Sequence, residues 1–146
     1  MIGGSVAAAA VLPSVMAACS SEPAPTAWVT VGAATEDLEV GTPVEVSFAG
    51  TTATGEDLIG TAWLVAQPDG SVVAFDPRCT HQACEYDWAD GADRFECGCH
   101  EAAFAIDGDV LYGPPPRALA RFEVRASAGA IELAVPEDFK APLPGS

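Results

Sequence analysis

Positive charge is what this sequence lacks most. Only six of its 146 residues are Lys or Arg, against 21 Asp or Glu, so the formal net charge is -15 at pH 7. A surface of this charge repels phosphate groups, which argues against a nucleic-acid partner and against docking on an anionic membrane face. The same balance is found in soluble electron carriers and in halophilic or very soluble surfaces, so it does not by itself select a function.

Helical periodicity is missing as well. No long segment repeats its apolar residues at the spacing of an α-helix, whereas short apolar runs punctuated by Gly, Pro and Asp fill the chain from Trp28 onward. Such runs are strand and turn signals, so we predict an all-β, antiparallel domain. The predicted strands are 28–31, 43–48, 62–67, 71–75, 94–97, 103–106, 110–111, 118–126 and 130–135.

Two connections between these strands are informative. Pro68-Asp69-Gly70 has the residues of a tight turn and predicts a hairpin between its two flanking strands. The polar stretch 51–60 contains glycines and no strand pattern, so it predicts a surface excursion.

The first 18 residues carry no charge and are rich in Ala and Val, which is typical of the apolar core of an export signal. The run is short for a spanning helix of about 20 residues, and Val15-Met16-Ala17-Ala18-Cys19 resembles a bacterial lipobox. We therefore predict a signal or lipoprotein-like segment over 1–19, in which Cys19 is the lipid anchor; a free thiol is the alternative. No basic region precedes the run, so we hypothesise a natural start upstream.

Residues 20–27 are Ser-, Pro- and Ala-rich and predict an extended linker. The folded domain is then expected over 28–146. Together these segments predict an exported protein on the periplasmic or extracytoplasmic side of a bacterial membrane, attached to it through the N-terminal anchor.

Histidine and cysteine are scarce and unevenly placed. Both histidines and four of the five cysteines lie in residues 79–100, as Cys79-x-His81 and Cys97-x-x-His100 together with Cys84 and Cys99. On chemistry alone such a set admits two cofactors. Zinc accepts thiolate and imidazole in a closed tetrahedral site, although it usually draws on paired C-x-x-C spacings. A 2Fe-2S cluster can instead place two cysteines on one iron and two histidines on the other.

Three motifs resemble those of Rieske iron-sulfur proteins. Cys79-Thr80-His81-Gln82-Ala83-Cys84 and Cys97-Gly98-Cys99-His100 resemble the two cluster-binding boxes of that family, and Gly113-Pro114-Pro115-Pro116 resembles the proline loop that covers the cluster. The resemblance runs from about residue 41 to 135 and is sharp over 78–117. It implies a Rieske-like antiparallel β-sandwich with a small cluster-binding subdomain of two loops at about 78–117.

The resemblance also implies the ligands of a 2Fe-2S cluster of the Rieske type. Cys79 and Cys97 would bind one iron, and His81 and His100 the other. Because neutral imidazoles leave less negative charge on the cluster than thiolates do, the reduction potential falls in a range of roughly -150 to +300 mV.

Cys84 and Cys99 match the pair that respiratory and photosynthetic members of the family join as a disulfide. Such a bond would tie together two loops that have few apolar side chains to hold them. The alternative is two reduced, buried thiols.

The sequence departs from the high-potential pattern after the second box. Respiratory members usually continue Gly-Ser-x-Tyr, whose hydroxyls donate hydrogen bonds to cluster sulfurs, whereas this chain has Glu101-Ala102-Ala103-Phe104. Glu101, Ala102 and Phe104 are therefore expected around the cluster, together with Gly113, Pro114 and Pro115. Fewer donors stabilise the reduced cluster less, so we expect a potential below that of quinol-oxidising relatives. The alternative is that Glu101 is a solvated loop carboxylate with little effect on the iron.

Charged and aromatic residues flank the two boxes. Arg78 and Arg117 either meet an acidic partner or pair with Asp76 and Asp87, of which pairing is the default for exposed charges. The aromatic residues between the boxes are expected to pack the subdomain (Tyr86, Trp88).

The expected function is one-electron transfer, as a component of an oxidoreductase rather than a stand-alone catalyst. The partners would be a cytochrome or an oxidoreductase large subunit, and a quinol if the chain is the iron-sulfur subunit of a quinol:cytochrome oxidoreductase. Alternatives are a stand-alone carrier, the small subunit of an arsenite-oxidase-like enzyme, an oxygenase-associated Rieske ferredoxin, and a structural zinc domain. A hydroxylase would need two further histidines for a mononuclear iron, and the sequence has none.

Overall fold

The computed structural model describes residues 25–144 and has strands at nearly every predicted place. The all-β prediction is confirmed, since the described helices are two single 3-10 turns, Thr35–Asp37 and Asp90–Ala92. The strands are β1 Thr26–Ala34, β2 Val44–Thr51, β3 Asp57–Ala66, β4 Val72–Phe75, β5 Asp87–Ala89, β6 Arg94–Cys97, β7 Ala102–Phe104, β8 Val110–Tyr112, β9 Arg121–Ser127 and β10 Ala130–Pro136.

Six of these strands close into a barrel in the order β1-β10-β9-β4-β3-β2, with antiparallel neighbours throughout. A strand that faces the core on one side buries alternate residues, because successive side chains point to opposite faces. In β2, for example, Val46 and Phe48 are buried while Glu45 and Ser47 are exposed. The closed barrel encloses one apolar core, as the two packed layers of the predicted sandwich would.

The remaining strands form a small antiparallel sheet in the order β5-β6-β7-β8. Phe95 of β6 is fully buried and joins this sheet to the barrel, since its ring lies 5.5 Å from Trp63 and 5.8 Å from Phe75. Tyr86 and Trp88 pack on the same ring at 5.4 and 4.9 Å, which confirms their expected packing role. The predicted two-loop subdomain is therefore seated on the barrel through an aromatic core.

The Pro68-Asp69-Gly70 hairpin is confirmed by the register of β3 and β4, in which Trp63 pairs with Phe75 and Ala66 with Val72. The predicted surface excursion over 51–60 is wrong. β2 and β3 continue their pairing up to Thr51 and Asp57, leaving a five-residue turn. The reason is burial that the polar composition hides, because Leu58 is 3% exposed and belongs to the barrel core.

Some strand boundaries also differ from the prediction. β1 begins at Thr26, inside the predicted linker, because that residue pairs with Pro136. β5 was not predicted, since a three-residue strand carries no periodicity. The predicted signal segment, Cys19 and most of the linker lie outside the described residues, and within 25–144 no helix has the length and apolar character needed to span a membrane.

The segment after β10 was not predicted to have any structural role. Phe139 enters the barrel core at 7% exposure, between Phe48 and Phe122. Its ring fits because residue 60 is glycine; a Cβ there would lie 2.5 Å from Phe139 and 2.7 Å from Phe48.

Replacing Gly60 with Ala should therefore overpack the barrel and lower the free energy of unfolding by about 1–3 kcal/mol. Denaturant-induced unfolding measures this change. Gly91→Ala is the control, because no atom lies within 4 Å of a Cβ at that exposed position. Equal stability of the two variants would contradict the proposed close packing.

Candidate metal centre

Two loops carry the predicted ligands. The first loop, residues 78–85, leaves β4 and folds back on itself, because the Cys79 N–H donates to the Cys84 carbonyl over 2.8 Å and the Ala83 N–H donates to the Cys79 carbonyl over 2.9 Å. The second loop, residues 97–101, connects β6 to β7. Ala83 and Glu101 have φ values of +58° and +51°, so both loops contain a sharply turned residue that is not glycine.

A disulfide joins the loops. Cys84 and Cys99 are bonded, with Cα atoms 6.6 Å apart, which confirms the predicted pair and excludes the alternative of two reduced thiols there. The Cys97 sulfur lies within 4.8 Å of both bonded sulfurs. These three sulfurs are not a separate metal site, because two of them are already bonded to each other.

Cys79 and Cys97 are the remaining cysteines of the described residues, and both are free and buried at 3% exposure. Their side chains interact with each other. Burial raises the pKa of the Cys79 thiol above its usual value; the His81 N–H opposes this shift and Cys97 adds to it. A bound metal favours the thiolate form of a cysteine ligand, because the cation takes the place of the thiol proton.

The two histidines, one on each loop, lie next to each other. Their ring centroids are 4.6 Å apart and the rings are nearly perpendicular. The Nδ1 atom of His81 is buried and has no hydrogen-bond partner. Because buried polar atoms in proteins are almost always paired, an orphaned imidazole nitrogen beside a second imidazole fits a metal ligand.

The structure therefore groups the predicted ligands in two pairs, the Cys79 and Cys97 thiols and the His81 and His100 rings. Each loop contributes one thiol and one imidazole, the thiols lie inside, and His100 is exposed at the surface. A donor set of two sulfurs and two nitrogens from facing loops suits a pair of irons that share sulfide bridges.

The chain's likeness to known proteins agrees with this geometry. The family model described as the Rieske [2Fe-2S] domain matches residues 27–123, which is more than half of the chain. The chain belongs to the Rieske [2Fe-2S] domain family. The 2Fe-2S cluster predicted from the two loops is therefore the cofactor of this domain, and the buried cysteines are placed to bind it.

Individual relatives of this Rieske domain are subunits of larger complexes. The chain is 33% identical over 72 residues to the cytochrome b6-f complex iron-sulfur subunit of Chlorobaculum tepidum, covering 49% of this chain and 40% of the relative. It is 32% identical over 77 residues to the menaquinol:cytochrome c reductase iron-sulfur subunit of Geobacillus thermodenitrificans, covering 50% and 46%. In both cases the match spans less than half of the relative's length.

Among solved structures, the cyanobacterial plasma membrane Rieske protein from Synechocystis PCC 6803 is 31% identical. The alignment covers 61% of this chain and 86% of that one, with a TM-score of 0.47.

The proline loop of the Rieske domain, Gly113 to Pro116, lies against the end of the second ligand loop. Gly113 has φ +104°, and a Cβ there would lie 3.1 Å from the Glu101 carbonyl and 2.6 Å from the Cα of Ala102, so only glycine permits this approach. Pro115 is buried, whereas Pro114 is exposed. Arg117 directly follows the proline loop, and its carbonyl accepts a hydrogen bond from the Thr80 hydroxyl over 2.7 Å. This bond ties the end of the proline loop to the first ligand loop.

The positions that lack hydroxyls belong to the buried group that also contains the thiols. Ala102 and Phe104 are 2% and 0% exposed and belong to the same packed group as Cys79 and Cys97. Ala103, between them in β7, is buried but is not a member of that group. Glu101 is exposed, so the four residues after His100 place two apolar side chains in the group that contains the thiols and a carboxylate in solvent.

An ion pair beneath the first loop was only one of the options open from the sequence. Arg78 pairs with Asp76, whose Oδ1 also accepts the Arg78 N–H over 2.9 Å. Tyr86 donates its hydroxyl to the Asp76 carbonyl over 2.7 Å, and burial raises the Tyr86 pKa well above its usual value, so it remains a donor. The Asp-Pro-Arg sequence is a turn signal that could have predicted this contact.

The other predicted ion pair is not found, since no ion pair joins Arg117 to Asp87 within residues 25–144. The exposed Arg117 is linked to the first loop through its main-chain carbonyl instead.

Removing the disulfide should destabilise the domain. The bonded cysteines are 15 residues apart, and cross-links of that span contribute about 2–4 kcal/mol. We expect the double variant Cys84→Ser, Cys99→Ser to lose that much free energy of unfolding in denaturant titrations. Dithiothreitol should lower the stability of the unmodified protein by a similar amount and leave the double variant unchanged; an equal effect on both would contradict the assigned pairing.

Proposed function

We propose that this Rieske domain transfers single electrons through a 2Fe-2S cluster held by Cys79 and Cys97 on one iron and by His81 and His100 on the other. The observation that carries the proposal is the state of these donors. Both thiols are free while the other two described cysteines are consumed in the disulfide, and the His81 Nδ1 atom is buried without a partner.

The bound cluster supplies a one-electron couple of moderate potential. The chain positions it asymmetrically, because the thiols are buried and His100 is exposed. The histidine side is therefore the side at which electrons enter and leave. An imidazole at this surface can also donate or accept a hydrogen bond, which couples electron transfer to a proton when the donor is a quinol.

The redox partner we propose is a cytochrome or the larger subunit of an oxidoreductase, with the chain acting as an iron-sulfur subunit of the quinol:cytochrome oxidoreductase type. The names of the two curated relatives support this class of partner. Purification of the full chain from solubilised membranes, followed by identification of the proteins that co-purify with it, would identify the partner directly.

We further propose that the domain works on the extracytoplasmic side of a bacterial membrane, anchored through Cys19. The support is chemical, because a structural disulfide persists in an oxidising compartment and is rare in the cytosol. The predicted export signal points to the same location.

The cluster assignment predicts a coloured protein. After reduction with dithionite, the electron paramagnetic resonance spectrum should be that of a reduced 2Fe-2S cluster, with nitrogen hyperfine couplings in pulsed experiments from the two imidazoles. Cys97→Ala should abolish iron binding, whereas Cys19→Ala should retain it. A colourless protein containing one zinc ion would sink the proposal.

The missing hydroxyls predict how the potential can be tuned. Ala102→Ser places a hydroxyl in the packed group that contains the thiols, where it stabilises the reduced and more negative cluster. A hydrogen bond stronger by about 1 kcal/mol in the reduced state corresponds to a rise of roughly 40 mV for a one-electron couple. Protein-film voltammetry measures it. Ala105→Ser, outside that group, is the control, and equal potentials for both variants would show that position 102 does not tune the cluster.

A further inference from the structure

The residues that follow β10 return to the first ligand loop. The Leu143 N–H donates to the Ala83 carbonyl over 2.8 Å, and the Glu85 N–H donates to the Leu143 carbonyl over 2.8 Å. These bonds place Leu143 beside Cys84 as a parallel bridge. The Leu143 side chain is 56% exposed, so the contact is made by its main chain.

The same segment is anchored upstream by Phe139. This ring is buried in the barrel core, 5.5 Å from Phe48. The Arg78 guanidinium lies over the Phe139 ring, 4.8 Å from its centroid. Because Arg78 directly precedes Cys79, the segment contacts the first loop at its beginning through Phe139 and at its end through Leu143.

The end of the first loop needs support from both sides. Glu85 pairs with Arg78 in an antiparallel bridge, and Cys84 pairs with Leu143 across the opposite edge. Ala83 has φ +58°, a left-handed conformation that is unfavourable for a residue with a Cβ and persists only where neighbouring contacts hold it. Leu143 supplies one such contact, since it donates directly to the Ala83 carbonyl.

We propose that residues 137–143 are a strap that positions the disulfide end of the first loop, and that the Leu143 main chain is the positioning contact. With the strap in place, Ala83 stays in its left-handed conformation and Cys84 stays fixed against Cys99. Without it, the loop between Cys79 and Cys84 moves, which exposes the disulfide to attack by a thiolate. The consequence for cluster geometry rests on the proposed function, whereas the protection of the disulfide does not.

Leu143→Pro in the full chain tests the strap. Proline removes the N–H that Ala83 accepts, and its ring occupies the place of that hydrogen bond. Pro142 and Pro144 already flank the position, so the local chain remains extended. A chain ending at Pro142 removes both bonds and is the second variant, should Leu143→Pro not fold.

The readout is the rate at which dithiothreitol reduces the Cys84–Cys99 bond. The reductant passes two electrons to the disulfide, which becomes two thiols, and the reductant itself is oxidised to a cyclic disulfide. Alkylation followed by peptide mass analysis counts the new thiols at these two cysteines separately from Cys79 and Cys97. We expect at least a fivefold faster reduction in Leu143→Pro, and broadened electron paramagnetic resonance lines when the cluster is loaded.

Two controls separate positioning from general stability. Leu143→Ala keeps both main-chain bonds and should reduce at the unmodified rate. Gly50→Ala destabilises the barrel away from the loop, because a Cβ there would lie 2.6 Å from the Val29 side chain. It should lower the melting temperature without a fivefold change in the reduction rate.

Unmodified reduction rates in Leu143→Pro and in the chain ending at Pro142 would overturn the strap. An equal acceleration by Gly50→Ala at matched loss of melting temperature would overturn it too, because that result shows a structural role only. If the unmodified protein binds no cluster, the proposed function fails, while the thiol readout on metal-free protein still decides the role of Leu143.

Discussion

The covalent bond between Cys84 and Cys99 is the constraint on which the candidate centre depends. The two loops are short, and apart from cysteine their one apolar side chain is that of Ala83, so few apolar contacts can hold one loop against the other. The disulfide joins them directly. Each joined loop then carries one of the two free thiols and one of the two adjacent imidazole rings. The two thiols are at the same time buried in the apolar group beneath the loops.

The surrounding contacts engage neither the free thiols nor the imidazole rings. The Thr80 hydroxyl binds the Arg117 carbonyl, and Leu143 pairs with the backbone on either side of Cys84. Beneath the loops, Tyr86 binds the Asp76 carbonyl while the Asp76 carboxylate neutralises Arg78. The ion pair thus offsets the charge of Arg78 beneath the first loop.

Sequence reasoning was accurate for the Pro68-Asp69-Gly70 turn, the Cys84–Cys99 disulfide and the family, whose signals lie in short runs of consecutive residues. It was wrong over 51–60, because a polar composition predicts a loop while the burial of Leu58 extends both strands. The three-residue strand β5 was not predicted for a related reason, because its conformation depends on its pairing with β6 rather than on its own residues.

The sequence by itself determined the all-β class, the Rieske family and the cluster that this family binds, because ligand type and spacing are written in short contiguous motifs. Only the tertiary structure decided which buried atoms are left without partners and how the end of the first loop is held. The His81 Nδ1 atom became recognisable as an orphan once its surroundings were known. Leu143 contacts Ala83 through its main-chain N–H, which every residue except proline possesses. No side-chain pattern could therefore have predicted this contact.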